Sequence, residues 1–302
     1  MKKLLFIYNP VAGKGKVNQE LPAVIDVFTK CGYLVTAYPT QGKEDAARVA
    51  RELGGDYDRV VCAGGDGTRS ETVSGLVGLE TPPVLGYIPI GSTNDCAKNL
   101  RLPANAVEAA GIAVRDGTPR PWDVGSLNGK PFFYIGAFGA FTEVAYETPQ
   151  ELKNTFGHMA YVMAGIAALS SIKPYHIKVE YDGKEIEDDF LFGMVCNTVF
   201  VGGFKTISEE VVAVDDGMFE VVLVKKPVST QEFFDGFQAL LNHMSSIGET
   251  GPLIGIHASK LKITSRTPLP WTLDGEYGGT HEITVLENHS KAITVMQGPQ
   301  KE

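Results

Sequence analysis

The sequence lacks an excess of positive charge: its 302 residues carry 27 Lys and Arg against 36 Asp and Glu, a formal net charge of −9. Proteins that bind DNA or RNA neutralise phosphates with a basic surface. The charge deficit therefore argues against nucleic acid as a partner. For the same reason, contact with an anionic membrane would require a local patch or an apolar lip.

Cysteine and long apolar runs are also scarce. The four cysteines and six histidines form no C-x-x-C or H-E-x-x-H pattern. This argues against a zinc site or a disulfide framework, and predicts reduced thiols in a cytoplasmic protein. The most apolar longer stretch, "HMAYVMAGIAAL" at 158–169, is well short of a membrane span of about 20 residues. The apolar run at the start ends at Asn9-Pro10, too early for a signal peptide.

What the sequence does contain is a change of pattern along its length. From residue 1 to about 122, short apolar runs alternate with helical patterns, which predicts βαβ units around a parallel sheet. Beyond "GTPRPWDVG" alternating strands dominate, with hairpin turns at Asp182-Gly183 and Asn128-Gly129. We therefore expect an α/β nucleotide-binding domain over 1–122 and a mainly antiparallel β-sandwich or barrel domain over 123–302. The C-terminal tail could pack back on the first domain.

Three glycine-rich segments follow predicted strands of the first domain: "YNPVAGKGK" (8–16), "VVCAGGDGTRSETVSGL" (60–76) and "PIGSTNDCAKNL" (89–100). Ligands bind at the carboxyl ends of parallel strands, and glycines with a helix N-terminus suit a phosphate. Asp66 in the second segment fits beside a phosphate if Mg²⁺ lies between them; the alternative is a tight turn with Asp66 as helix N-cap. In the third segment, Asn94 and Asp95 could likewise be caps only. The joint occurrence of the three turns favours nucleotide binding.

The segments "NPVAGKGK", "GGDGT", "GSTND", "WDVG", "VDDGMFEVVLV" and "LDGEYGG" occur in an order that resembles the diacylglycerol kinase catalytic-domain superfamily. Among its members the chain looks most like the soluble bacterial lipid kinases. The resemblance implies a kinase that uses ATP and Mg²⁺ to phosphorylate diacylglycerol or a related lipid. It also implies an active site in the cleft between the two domains, transient contact with a membrane surface, and a lipid acceptor whose identity stays open.

The resemblance also assigns roles to individual residues. Mg²⁺ and its waters would be held by Asp66, Asp95 and Asp123, and a structural divalent ion by Asp216 with the backbone carbonyls of Ala213 and Met218. Nucleotide contacts would come from Asn9, Thr40, Gly64, Gly65, Asp66, Gly67, Thr68, Ser70, Ser92 and Thr93. The chain departs from the family pattern at Arg69 and Ser70, at Ser92 and at Cys96, which leaves nucleotide preference open.

The segment "TLDGEYGG" is the candidate source of the catalytic base. Phosphoryl transfer depends on positioning and charge neutralisation, but the acceptor hydroxyl must still lose its proton. Asp274 and Glu276 match the base element of the family, and would share a face if the segment were extended. We favour Glu276 as the base with Asp274 positioning it or sharing the role. The alternative is a β-turn with exposed acids.

The acceptor side and the exact activity stay open at this level. A helical pattern over 151–171 would either pack in the core or line an acyl slot with Lys153 at the lipid surface. The competing functions are an NAD kinase-like or sugar kinase-like enzyme and a non-catalytic nucleotide-binding module. "GSTND" and the late "LDGE" favour the lipid kinase. A homodimer is the expectation from base rates alone.

Overall fold

The computed structural model describes residues 1–91, 94–139, 173–197, 200–201, 204–205, 213–226, 251 and 253–299. The chain divides into two compact units. Unit 1 comprises Met1–Tyr134, Asn197–Met218 and Asn288–Glu302, and unit 2 comprises Ile135–Cys196 and Phe219–Glu287. The predicted helices at 151–171 (with Lys153) and near 230–244 lie outside the described residues.

Unit 1 is an α/β unit. Its parallel strands are β1 (Lys2–Tyr8), β2 (Tyr33–Pro39), β3 (Arg59–Gly64) and β4 (Val84–Pro89), in the order β4-β3-β1-β2. Its helices are α1 (Ala12–Lys30), α2 (Asp45–Leu53), α3 (Asp66–Leu76), α4 (Asp95–Asn99) and α5 (Ala106–Gly111), with a 3₁₀ turn at Gly54–Asp56 and a π-helical turn at Ile112–Asp116. It also holds β5 (Thr118–Leu127), β6 (Lys130–Phe132) and the short pair β10 (Phe200–Val201) and β11 (Phe204–Lys205).

The core of unit 1 explains the continuous apolar runs of its strands. Leu4, Leu5, Phe6 and Ile7 of β1 are consecutive and all are at most 1% exposed. Burial of neighbouring residues on both faces is typical of a parallel strand covered by helices. Phe28 of α1 packs edge-on against Phe6, with ring centroids 5.4 Å apart. Each large apolar side chain buried in this way stabilises the fold by roughly 1.5–3 kcal/mol.

The described part of unit 2 consists of antiparallel strands. They are β7 (Ile135–Gly139), β8 (Tyr175–Tyr181), β9 (Lys184–Cys196), β12 (Phe219–Lys225), β13 (Leu253–Ala258), β14 (Lys260–Leu273) and the first part of β15 (Glu276–Gln297). The long strands β9 and β14 each pair with β8 through one part and with β7 through another. The predicted β-rich second half is therefore confirmed.

The hairpin turns follow from local sequence. Asp182-Gly183 joins β8 to β9 and Asn128-Gly129 joins β5 to β6, and all four residues have positive φ. Asn, Asp and Gly tolerate this conformation, which matches the twist of paired strands. Both hairpins predicted from the sequence are present.

The predicted domain boundary after residue 122 falls inside β5 and does not coincide with the division into units. β5 continues to Leu127 and pairs with β6, so the chain stays in unit 1 until Tyr134. Residues 288–302 also belong to unit 1, where Val295 pairs in parallel with Leu85 of β4. No helix in the described part of the chain is long and apolar enough to cross a membrane.

Candidate functional site

The carboxyl ends of the parallel strands of unit 1 lie along one edge of the sheet. Tyr8, the last residue of β1, is opposite Pro39 of β2 and Ala63 of β3, and Gly64 is opposite Pro89 of β4. The residues that follow each strand are therefore brought together, as the sequence predicted for the three glycine-rich turns.

The turn between β3 and α3 presents a helix N-terminus. Gly65 occupies the N-cap position with φ −86° and ψ −173°, and no described side chain caps the helix there. Asp66 is the first residue of α3, so the alternative in which Asp66 is the N-cap does not hold. The first N–H groups of a helix have no partner within it, and they attract anions.

The turns after β3 and β4 pack backbone to backbone. A Cβ added to Gly91 would lie 2.6 Å from the Cα of Gly65 and 2.6 Å from Oδ1 of Asn94. Ile90 N also donates to the carbonyl of Gly64 at 2.9 Å. Glycine is required here because any side chain would separate the two turns. The result is a surface of backbone groups that a phosphate can approach closely.

Asn94 occupies the N-cap position of α4, but its side chain shapes the turn after β4. Its Oδ1 accepts from Gly91 N at 2.8 Å and its Nδ2 donates to Gly91 O at 2.7 Å. The residue has φ +50°, a conformation that Asn tolerates, and its side chain makes no cap hydrogen bond. Asp95 begins α4. The side chain of Asp95, together with Ser92 and Thr93, lies outside the described residues.

Tyr87 of β4 contacts both the turn after β3 and the turn after β4 through its hydroxyl group. Its hydroxyl donates to the carbonyl of Gly64 at 3.1 Å, and Oδ1 of Asn94 lies 3.4 Å away. Burial raises the pKa of Tyr87, so the hydroxyl stays protonated and remains a donor. The apolar run that contains Tyr87 carries no sequence signal for this role.

Asn9 and Thr40 lie at the same edge. Asn9 Nδ2 donates to Oγ1 of Thr68 at 3.5 Å, while Asn9 N donates to the carbonyl of Ala63 at 2.9 Å. Thr40 N donates to the carbonyl of Tyr8 at 2.9 Å. The structure thus brings Asn9, Thr40 and Thr68 to one end of the sheet. Ser70 lies two residues further along α3 than Thr68 and is partly exposed.

Arg69 is the least expected residue of this region, because it is a cation that is only 1% exposed. Its guanidinium carbon lies 4.9 Å from the ring centroids of both Phe133 and Tyr134. One guanidinium nitrogen is 3.8 Å from Oδ1 of Asp66, whose side chain is 16% exposed. Desolvated cation–π contacts of this kind are worth about 2 kcal/mol or more. The charge of Arg69 is evident from the sequence, but its two aromatic partners are not, because they lie more than 60 residues later in the chain.

Asp123 lies against the turn that carries Asp216. Its carboxylate accepts backbone N–H groups from Gly217 at 2.5 Å and from Lys291 at 2.7 Å, and the side chain is fully buried. Burial raises the pKa of Asp123, and the negative charges of Asp216 and Asp215 act in the same direction. The structure thus places Asp123 beside the turn of Asp216, and its role in holding Mg²⁺ with Asp66 and Asp95 stays a prediction.

Two asparagines complete this buried polar region. Asn197 Nδ2 lies 3.3 Å from the carbonyls of both Asp123 and Val214, and Asn288 Nδ2 donates to Met218 O at 2.9 Å. Met218 N donates to Oδ1 of Asp216 at 2.9 Å, closing the turn. Among the described residues no three His, Cys, Asp or Glu side chains form a metal site. A divalent ion here would need backbone carbonyls as further ligands, which is the donor chemistry that Mg²⁺ and Ca²⁺ accept.

In unit 2, Asp274 and Gly275 form the two-residue turn between β14 and β15. Their φ angles are +49° and +87°, so the segment is a tight hairpin and the extended arrangement considered from the sequence is wrong. Asp274 is 2% exposed, and its Oδ1 accepts from Ile135 N at 3.1 Å. Glu276 follows as the first residue of β15 and is exposed. The two carboxylates therefore have different environments.

Comparison with known families divides the chain in the same order as the motifs. Residues 3–127 match the diacylglycerol kinase catalytic domain, and residues 138–297 match the YegS C-terminal NAD kinase beta sandwich-like domain. Both matches together account for nearly the whole sequence.

Individual proteins are similar over the same length. The diacylglycerol kinase of Bacillus subtilis (strain 168) is 34% identical over 281 residues, which cover 92% of this chain and 91% of that protein. The diacylglycerol kinase of Staphylococcus haemolyticus (strain JCSC1435) is 33% identical over 280 residues, covering 90% and 82% respectively. Each likeness extends over both units.

Solved structures are similar as well. A crystal structure of a diacylglycerol kinase from Bacillus anthracis str. Sterne has a TM-score of 0.77 at 25% identity, covering 99% of this chain and 97% of that one. A second crystal structure, also described as a diacylglycerol kinase from Bacillus anthracis str. Sterne, has a TM-score of 0.82 at 26% identity. The match covers 99% of this chain and 96% of that one. The sequence and the fold point to the same group of proteins.

Proposed function

The chain belongs to the diacylglycerol kinase family, and from this premise we propose that it is an ATP- and Mg²⁺-dependent lipid kinase. It transfers a phosphoryl group from ATP to the free hydroxyl of diacylglycerol or a related lipid, and the product is phosphatidic acid or its analogue. The observation that carries this proposal is the sheet edge of unit 1, where the helix N-terminus after Gly65 meets the turn after β4.

The nucleotide phosphates bind at this edge, in the proposed function. The first N–H groups of α3 and the glycine turn donate to phosphate oxygens, with Asn9 and Thr40 alongside. Ser70, Ser92 and Thr93 are the further candidates for hydrogen bonds to the nucleotide. Asp66, with Asp95, would hold Mg²⁺, because a carboxylate beside a phosphate is tolerable only with a cation between them. Bound there, Mg²⁺ would neutralise charge on the phosphates.

The acceptor proton is taken by Glu276. This carboxylate is exposed at the start of β15, so a substrate hydroxyl can approach it. Asp274 acts as a positioning residue, since its hydrogen bond to Ile135 N fixes the hairpin that presents Glu276. The reaction in a cleft between the two domains remains part of this proposal, as the resemblance implied.

A structural divalent ion at the 213–218 turn is also part of the proposal. Asp216 would supply a carboxylate, and Ala213 and Met218 would supply carbonyl oxygens. Asp123 supports that turn through the N–H of Gly217. The adjacent carboxylates of Asp215 and Asp216 repel each other, and a divalent cation would relieve this repulsion.

The remaining features of the proposal follow from the substrate. Diacylglycerol resides in a membrane, so an enzyme that works in the cytoplasm reaches it by transient peripheral contact with the membrane surface. A homodimer is proposed on base rates only. Analytical sedimentation of the purified protein tests the homodimer, and a protein that stays monomeric contradicts it. Co-sedimentation with vesicles that contain diacylglycerol tests the membrane contact, and a protein that never sediments with them contradicts it.

Labelled ATP and a panel of acceptors test the proposed activity. Purified protein is incubated with diacylglycerol, other lipids that carry a free hydroxyl, NAD and a sugar phosphate, and the products are separated by thin-layer chromatography. We expect transfer to a lipid and none to NAD or the sugar. Label on NAD alone would favour the NAD kinase reading, and ATP binding without transfer to any acceptor would favour a non-catalytic module.

A further inference from the structure

The buried side chain of Arg69 lies close to Asp66, the carboxylate in the turn between β3 and α3. Arg69 follows Asp66 by three residues in the first turn of α3. One of its guanidinium nitrogens lies 3.5 Å from the carbonyl oxygen of Asp66 and 3.8 Å from Oδ1 of the same residue. The longer distance exceeds that of a hydrogen bond, so the interaction with the carboxylate is mainly electrostatic. A charge interaction of this kind persists over several ångströms in a poorly hydrated site.

The aromatic partners hold the guanidinium in place. Phe133 is 1% exposed and Tyr134 is 5% exposed, and the ring of Phe133 also stacks on Trp122 with centroids 5.3 Å apart. The cation is therefore fixed between rigid faces and cannot swing into solvent. Replacing a whole buried ion pair by apolar residues of similar size is often neutral or stabilising, whereas removing one partner alone destabilises the fold when the other charge stays buried. The side chain of Asp66 is 16% exposed, so its charge keeps contact with solvent when Arg69 is replaced.

The charge of Arg69 also acts on residues in the neighbouring strands β3 and β4. Burial raises the pKa of the Cys62 thiol to about 12, and the charge of Arg69 is the largest influence in the opposite direction. The same charge opposes the rise in the pKa of Tyr87, whose hydroxyl supports Gly64. Arg69 thus exerts a positive potential on β3 and β4 at the edge where the phosphates bind in the proposed function.

We propose that Arg69 is a positioning residue that supplies a fixed positive charge beneath the phosphate turn, and that it lowers the dependence of nucleotide binding on Mg²⁺. A positive charge there attracts the polyphosphate even without metal. The same charge partly neutralises Asp66 and so weakens the attraction of the turn for a divalent cation. This inference rests on the proposed function, because it assumes that ATP binds at this edge.

The quantity to measure is the ratio of the dissociation constant for ATP in EDTA to that in saturating Mg²⁺, by calorimetry on the full chain. Arg69→Met removes the charge and fills the space between Phe133 and Tyr134. We expect it to raise the ratio about tenfold, because metal-free binding weakens while the metal-dependent gain grows. Arg69→Lys keeps a positive charge but loses the planar group that contacts the two rings, so its ratio should lie between that of the wild type and that of Arg69→Met. If Arg69→Met does not fold, Arg69→Gln carries the same expectation.

Arg48→Met is the matched control. Arg48 is a half-exposed arginine of α2 in the same unit, paired with Asp45 and Glu52. Its removal changes the net charge by the same amount outside the site, and the ratio should not move. A change in the melting temperature of Arg69→Met or Arg69→Gln with an unchanged ratio would show that Arg69 is only a core residue. A wild-type protein that binds no ATP under either condition would instead overturn the proposed function, and this inference with it.

Discussion

The carboxylate Oδ1 of Asp274 accepts a hydrogen bond from the backbone N–H of Ile135 at 3.1 Å, and Asp274 N donates back to Ile135 O at 2.8 Å. This reciprocal pair ties the tip of the β14–β15 hairpin to the start of β7. The buried acid is thereby engaged in structure, while Glu276, two residues later, stays exposed. The proposed division of roles between the two acids follows from this difference.

Glu276→Gln should lower turnover on the preferred lipid by about 10²- to 10⁴-fold, the usual contribution of a general base. The amide keeps the size and the hydrogen bonding of the side chain but cannot take a proton. The affinity for ATP should hardly change, because the proposed phosphate site is in unit 1. Turnover from the thin-layer assay and ATP affinity from calorimetry measure the two effects.

Glu282→Gln provides the control for this variant, since Glu282 is another exposed carboxylate on the same strand. It should retain full turnover. Asp274→Asn keeps an oxygen that can accept from Ile135 N, so it should retain more turnover than Asp274→Ala. If Glu276→Gln is nearly as active as the wild type and Asp274→Asn is inactive, Asp274 is the base. If both Glu276→Gln and Asp274→Asn are fully active, the proposed mechanism is wrong.

Sequence patterns predicted the elements of local structure that are set by residues adjacent in the chain. The strand ends of unit 1, the turn at Gly64 to Thr68 and the hairpins at Asn128-Gly129 and Asp182-Gly183 follow from local propensity. Asp274-Gly275 carries the same hairpin signal, and of the two arrangements that the sequence allows, extended segment or β-turn, the structure has the turn, with Asp274 buried and not exposed. The general rule that Asp-Gly between strands favours a two-residue turn applies there as well.

Contacts between distant residues could not be predicted in this way. Asp123 meets Gly217 across 94 residues, and Asp274 meets Ile135 across 139. Arg69 is likewise buried by aromatic residues that come much later in the chain. Periodicity fixes which face of an element is buried, but it does not specify which distant segment covers that face. The partners of these charges are therefore structural findings.

Asp66→Asn should abolish most of the Mg²⁺-dependent gain in ATP affinity while leaving the fold intact. Asn has nearly the same size and shape as Asp, so the substitution leaves no cavity at this side chain, which is 16% exposed. Its carboxylate is the proposed metal ligand nearest the helix N-terminus, and an amide is a much weaker ligand for Mg²⁺. Calorimetry with and without Mg²⁺ measures the change. Asp26→Asn, an exposed carboxylate of α1, is the control, and unchanged Mg²⁺ dependence in folded Asp66→Asn would sink the assignment.

Asp216→Ala should lower the melting temperature and remove the stabilisation by added Mg²⁺ at the 213–218 turn. The substitution removes the proposed metal ligand and also a hydrogen bond, because Asp216 accepts from Met218 N at 2.9 Å. That bond is worth about 1 kcal/mol. Asp216→Asn separates them: its amide oxygen can still accept from Met218 N, but it lacks the charge that a divalent ion requires. Thermal melts with and without Mg²⁺ should show a milder loss for Asp216→Asn and no metal response in either variant. A retained metal response in both would mean that no ion binds through Asp216.

Gly91→Ala should separate the two phosphate turns. The added Cβ would lie 2.6 Å from the Cα of Gly65, and a backbone atom cannot give way as a flexible side chain can. Overpacking of this kind costs about 1–3 kcal/mol of stability, which thermal or denaturant melts resolve. The turn after β3 must shift to relieve the contact, so ATP affinity should also fall. Gly78→Ala is the control, because a Cβ there has no atom within 4 Å and Gly78 follows α3 in the same unit. If Gly91→Ala matched Gly78→Ala in both stability and ATP affinity, the close approach of Gly65 and Gly91 would have no part in nucleotide binding.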